Sequence, residues 1–106
     1  FKRKQYRSIS QKVDALVFFN DKIKIEFLCP ISNDSPISNF LKKNKMGGIH
    51  HISFTIENYE KNKKALKDKK IRIISDEDSL GVEGNKICFL NPMDLNKVLV
   101  ELEEKE

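Results

Sequence analysis

Residues 13–19, VDALVFF, and 23–28, IKIEFL, are dense in β-branched and aromatic side chains, which suit a pleated, half-buried surface. In the second run Ile23, Ile25 and Phe27 fall on one face and Lys24 and Glu26 on the other. Asn20-Asp21 between the runs is turn chemistry, so the two form an antiparallel hairpin. The upstream KRKQYRSIS is a further candidate strand. The stretch NDSPISNFLKKNKMGG then predicts a short connecting helix, with Ser35 as N-cap, Pro36 at the first helical position and Gly47-Gly48 ending regular structure.

After the double glycine, residues 49–56 alternate again. As a strand they would put His50, Ile52, Phe54 and Ile56 on one face and Ile49, His51, Ser53 and Thr55 on the other. A Lys-rich helix follows over 58–69, NYEKNKKALKDK, anchored by Tyr59 and Leu66, its charged run forming a solvated face. Three more strands are predicted: IRIIS at 71–75, NKICFL at 85–90 after the Gly84-Asn85 turn, and KVLVELE at 97–103. The second half therefore reads β-α-β-β-β, and the first half resembles the same unit without its opening strand and helix. The fold class expected is α+β.

At 106 residues the chain is expected to be one small domain, residues 1–46 holding the incomplete first unit plus connector and 47–106 the complete one. Lys and Arg outnumber Asp and Glu by 20 to 16, but the basic residues are mostly Lys spread along the chain, with only Arg3, Arg7 and Arg72. Without a concentrated basic face, nucleic acid is not an expected partner. Cys29 and Cys88 sit in apolar runs with no CxxC or Cys/His spacing, which reads as buried thiols in a reducing compartment. No apolar run approaches the roughly 18 residues of a membrane span, and none has the form of a signal peptide. No membrane partner and a cytoplasmic location are therefore expected. The incomplete first unit leaves two readings, a fragment lacking one strand and one helix or a protein that has lost the complete site, and the start at Phe1 and not at Met favours the fragment.

Glu26, His51 and Glu101 each stand mid-strand among apolar residues that point the other way. An unpaired carboxylate in a dry core is strongly disfavoured, and shared coordination of a divalent cation would satisfy all three side chains. The residues alone leave two simpler readings open: a strand histidine that is hydrogen-bonded and structural, and mid-strand glutamates that face solvent on a half-exposed sheet.

DSPISNFLKKNKMGGIHHISFTIEN, then KKIRIIS, then GNKICFLNPMDLNKVLVELEE resembles the methylmalonyl-CoA epimerase family of the vicinal oxygen chelate superfamily, which also contains glyoxalase I. The DSPI connector, the GIHHI strand and the VLVEL strand are its most specific parts. The resemblance implies paired βαβββ modules forming a curled mixed sheet around a cleft, with a divalent metal (cobalt, manganese, nickel or zinc) held by one ligand from each of four strands. It maps His51, Glu101 and Glu26 onto three ligand positions, and leaves the fourth, a histidine on the opening strand of the first module, without a match. It further implies that His51 faces the cleft while His50 faces the helix-covered side, that Glu101 doubles as the proton-transferring base, and that chains pair as homodimers.

The expected activity is epimerisation at an acidic α-carbon beside a carbonyl, most simply that of methylmalonyl-CoA, with a small carbonyl compound or acyl-CoA as substrate. The alternatives are a glyoxalase-like lyase acting on another small substrate and a non-catalytic small-molecule-binding module. They draw on departures in the loop before the last strand, where Asn91 and Met93 replace the family's histidine and lysine, and Asn96-Lys97 replace a glycine pair. Glycines reach backbone positions that Asn and Lys reach less easily, so a reshaped pocket is expected.

Overall fold

The computed structural model describes residues 1–74, 78–81 and 83–106, which form two units, Phe1–Gly48 and Ile49–Glu106. In the first unit, β1 (Lys2–Ser8), β2 (Val13–Phe19) and β3 (Lys24–Pro30) form an antiparallel sheet in that order. Alternation along β2 buries Val13, Ala15 and Val17 on one face. The turn into β3 is held by the Asn20 side chain, which accepts from the backbone N–H groups of Lys22 and Ile23.

Helix α1 (Pro36–Lys43) starts as its sequence predicts. The hydroxyl oxygen of Ser35 accepts from the Ile37 N–H at 3.3 Å, Pro36 needs no hydrogen-bond partner at that position, and Lys42 and Lys43 sit in the last turn beside the negative end of the helix dipole. Ser35 is fully buried and donates to the Gln11 carbonyl, which ties the helix start to the β1–β2 connection.

The second unit contains β4 (Ile52–Ile56), α2 (Tyr59–Asp68), β5 (Ser79–Leu80), β6 (Lys86–Leu90) and β7 (Val100–Glu104) in a sheet ordered β4-β7-β6-β5. β4 runs parallel to β7, and the other pairs are antiparallel. Parallel neighbours need a crossover, which α2 opens. Its Tyr59 and Leu66 pack with Cys88, Leu90 and Leu102 in the core of this unit.

The expected strand at 71–75 appears as a single bridge from Ile73 to Leu90, extended by hydrogen bonds from Ile74 N to Phe89 O and from Asn91 N to Arg72 O. Ser75 lies outside the described residues. The β-α-β-β-β order is present, and the α+β class holds.

The two units repeat one another in register. Val17 faces Glu26 across β2 and β3 as Phe89 faces Glu101 across β6 and β7. By that register Leu16, Phe18 and Phe27 correspond to Cys88, Leu90 and Leu102. The second set lies under α2, whereas the first unit contains, among the described residues, no counterpart of β4 and α2. Phe27 is accordingly 60% exposed where Leu102 is 6% exposed. Cys29, on the same face of β3, is exposed, which corrects the expectation of two buried thiols; Cys88 is buried as expected. Among the described residues no helix is long and apolar enough to cross a membrane.

A polar lock fixes α2. The Tyr59 hydroxyl donates to Asp78 Oδ1 at 2.8 Å, and Lys63 Nζ donates to the same oxygen at 2.6 Å. Desolvation raises the Asp78 pKa, but the hydrogen bonds from Lys63 and Tyr59 outweigh it and leave the carboxyl below its ordinary 3.8. A carboxylate with a depressed folded pKa contributes stability that is fully present above the unfolded value and is lost as pH falls through the folded one.

Two predictions follow from this packing and are read by urea unfolding. Leu102→Ala lowers stability by about 3 kcal/mol, whereas Phe27→Ala changes it by no more than about 0.5 kcal/mol. Asp78→Asn lowers stability by about 2 kcal/mol at neutral pH, and its difference from the unsubstituted chain shrinks as the medium is acidified below 3.8.

Candidate active site

The predicted strand at 49–56 begins three residues late. Ile52 N donates to Leu99 O and opens the β4–β7 ladder, while His50 and His51 stand in the irregular lead-in after Gly47 and Gly48, whose φ values are 81° and 142°. Ladder pairing, which would fix opposite-face alternation, starts only after these two residues. The two imidazoles meet instead, with 2.8 Å between their Nδ1 atoms and rings nearly perpendicular at 88°.

His51 nevertheless reaches one of the other two candidate residues. Its Nε2 lies 3.1 Å from Oε2 of Glu101, with the two side chains 16% and 11% exposed. Glu101 is held on β7 between Ser53 of β4 and Phe89 of β6. The Phe89 ring stands edge-on to His51, with 5.7 Å between centroids. Burial pushes the His50 pKa down, the adjacent His51 adds to this, and Glu101 opposes it in part.

Glu26 belongs to the first unit, where the Tyr6 hydroxyl donates to its Oε1 at 3.2 Å and Lys24 Nζ approaches the same oxygen at 3.7 Å. The second unit thus brings His51 and Glu101 together. Among the described residues no group of three or more His, Cys, Asp or Glu side chains is gathered in a way that could hold a metal ion.

The pair itself fits a cation. An imidazole nitrogen and a carboxylate oxygen make a mixed donor set suited to divalent transition metals. Adjacent ligands about 2.1 Å from one ion stand about 3 to 3.4 Å apart, from octahedral to tetrahedral geometry, and the 3.1 Å seen here falls in that range. Sequence reasoning missed Phe89 and Tyr6 as neighbours of these side chains. The signal for Phe89 was the antiparallel register of KICFL against VLVEL, which places it opposite Glu101.

The loop before β7 holds a second result. It opens with a 3-10 turn at Pro92–Asp94, in which Asn91 Oδ1 accepts from Met93 N, and Arg72 grips Asp94 with two nitrogens. Asn96 and Lys97 then adopt φ of 53° and 68°, and Lys97 N donates to Pro92 O at 2.7 Å. The left-handed backbone suited to glycine is present here without glycine.

Residues 2–89 match the Glyoxalase/Bleomycin resistance protein/Dioxygenase superfamily, and the chain belongs to it. It is 47% identical over 91 residues to the mitochondrial methylmalonyl-CoA epimerase of Bos taurus, an alignment covering 85% of this chain and 52% of that protein. The chain spans about half the length of the curated relatives it matches. Among solved structures, a hypothetical protein from Bacillus halodurans C-125 superposes with a TM-score of 0.87 at 33% identity, covering 98% of this chain and 77% of that one. A variant of Streptomyces coelicolor methylmalonyl-CoA epimerase, in complex with 2-nitronate-propionyl-CoA, gives 0.84 at 30% identity, with coverage of 96% and 76%. The resemblance carried by DSPI, GIHHI and VLVEL is borne out.

The left-handed loop yields a prediction. Lys97→Gly, relieved of the steric cost of its side chain at φ 68°, raises stability by about 1 kcal/mol in urea unfolding.

Proposed function

We propose that this chain carries the metal-binding and proton-transferring part of an epimerase acting on methylmalonyl-CoA. The observation that supports the reading above all others is the approach of His51 Nε2 to Glu101 Oε2 at 3.1 Å. It stands in a chain that is 47% identical, over the aligned part, to a protein named for that activity.

In this proposal His51 offers the Nε2 lone pair and Glu101 a carboxylate oxygen to the cation. Glu26 joins them as a third ligand on the strength of the resemblance. Bound there, a divalent ion such as cobalt, manganese, nickel or zinc would supply the Lewis acidity that stabilises negative charge on the thioester oxygen. Glu101 takes the α-proton onto its carboxylate, a general-base role that needs a flexible acid close to the α-carbon. The part-buried setting of both side chains strengthens their electrostatic action, because low local dielectric screens them less than bulk water does.

Two further points belong to the proposal. Pairing into a homodimer is carried by the resemblance to the family. A cytoplasmic location is supported by two free cysteines, as befits a reducing compartment.

Calorimetric titration with cobalt and zinc, followed by exchange of the α-proton of methylmalonyl-CoA into heavy water, tests the reading. The expected result is near-stoichiometric binding that is lost in His51→Ala and weakened in Glu26→Gln, with exchange slowed at least about 100-fold in Glu101→Gln. Binding that ignores His51, or exchange that ignores Glu101, overturns it. Metal binding without exchange on this substrate would turn the reading toward a glyoxalase-like lyase or a non-catalytic binding module.

A further inference from the structure

Pairing in the first sheet puts Lys2, Phe19 and Lys24 in one row across β1, β2 and β3, and Lys4, Val17 and Glu26 in the next. Register partners share a face of a sheet, as do residues two apart on one strand. One end of this face therefore carries three lysines and one glutamate, and all three lysines are exposed. The Lys4 ammonium stands over the rings of Phe19 and Tyr6, 5.3 and 5.6 Å from their centroids. The Lys24 ammonium lies 3.7 Å from Glu26 Oε1, which also accepts from the Tyr6 hydroxyl. Cation–π contacts and an ion pair thus hold two of the three ammonium groups on the same face. Lys2 and Lys24 are about 10 Å apart at the backbone, a gap that two flexible four-carbon side chains can close on one anion.

The fold does not require this charge. The register that equates Val17 with Phe89 and Glu26 with Glu101 puts Asn91 and Leu99 at the positions of Phe19 and Lys24 in the second unit, with no basic residue in the pair. Three ammonium groups against one carboxylate leave two positive charges at this end of the face. A phosphate monoester, whose second pKa is near 6, carries about two negative charges on a single group at neutral pH. A phosphodiester carries about one, and a carboxylate no more than that.

We propose that Lys2, Lys4 and Lys24 form a binding site for a phosphate monoester. Lys2 and Lys24 close on the phosphate oxygens from either side of the row, and Lys4 faces them from the next row, oriented by the two rings. The site is independent of the metal role proposed for Glu26, which enters here only as the carboxylate beside Lys24. Two sources offer this chemistry: the 3′-phosphate of coenzyme A, and a free phosphorylated small molecule.

Titrations of the 15N-labelled chain with inorganic phosphate and with adenosine 3′-monophosphate, against acetate at equal ionic strength, test the site. The expected result is saturable shifts of the backbone amides of Lys2, Lys4, Phe19 and Lys24 with both phosphates and none with acetate. Lys2→Gln and Lys24→Gln each weaken phosphate binding by about 3- to 5-fold, and the double variant by about 10-fold or more. Arg3→Gln removes the same charge from the same strand but from the opposite face, and is expected to leave binding unchanged. Lys2→Gln is the cleanest of these variants, being two strands and two residues removed from Glu26. Amide spectra matching those of the original chain away from each substitution show that the variants are folded.

Shifts that do not saturate, acetate acting as phosphate does, or Arg3→Gln costing as much as Lys2→Gln would reduce the row to general surface charge and overturn the inference. Coenzyme A and 3′-dephospho-coenzyme A separate the sources. Tighter binding of the first, lost in Lys2→Gln, assigns the site to the 3′-phosphate of an acyl-CoA. Equal binding of the two, beside saturable binding of adenosine 3′-monophosphate, assigns it to a free phosphate ester. Neither outcome depends on exchange of the α-proton, so the site and the epimerase reading stand or fall separately.

Discussion

The parallel pairing of β4 with β7 is the constraint on which the second unit depends. It sets Ile52 opposite Val100 and Ser53 opposite Glu101, and so delivers the residue just before the ladder, His51, to the carboxylate of Glu101. Two parallel neighbours cannot be joined by a hairpin. The chain must leave the sheet and return, and α2 makes that crossing worthwhile by burying Tyr59 and Leu66 with Cys88, Leu90 and Leu102. Core, crossover and candidate site are thus one arrangement. The lock of Tyr59 and Lys63 on Asp78 secures the start of the same helix, and through it the strand that the histidines precede.

Much of this was legible in the chain because it rests on local chemistry. Ser35 and Pro36 announce α1, Asn20 announces the hairpin turn, and the alternation of VDALVFF marks β2, each by a mechanism that needs no distant partner. The repeated unit was legible from element order alone, and His51 and Glu101, which the structure brings within 3.1 Å of one another, had been singled out as polar side chains in apolar strands and by the family resemblance.

What failed depended on tertiary context. The histidines alternate in sequence like strand residues, yet the ladder begins at Ile52, because its partner strand reaches only that far. Their mutual contact could not be read from periodicity. Cys29 sits in an apolar run, but among the described residues its unit has no counterpart of the α2 that covers Cys88. The loss of two glycines before β7 pointed to an altered backbone, whereas Asn96 and Lys97 take up the left-handed conformation, with the Lys97 N–H held by the Pro92 carbonyl. Hydrogen bonding there outweighs the local preference of the residue.

The unequal setting of the two cysteines makes the molecule its own reporter. Cys29 is open to solvent, while Cys88 is buried under α2 with its pKa pushed up by burial. A thiol reagent meets the first at once and the second only when the helix lifts from the sheet. The ratio of their modification rates is therefore a clock for the opening of the crossover, built from native residues and readable without a ligand or a substitution.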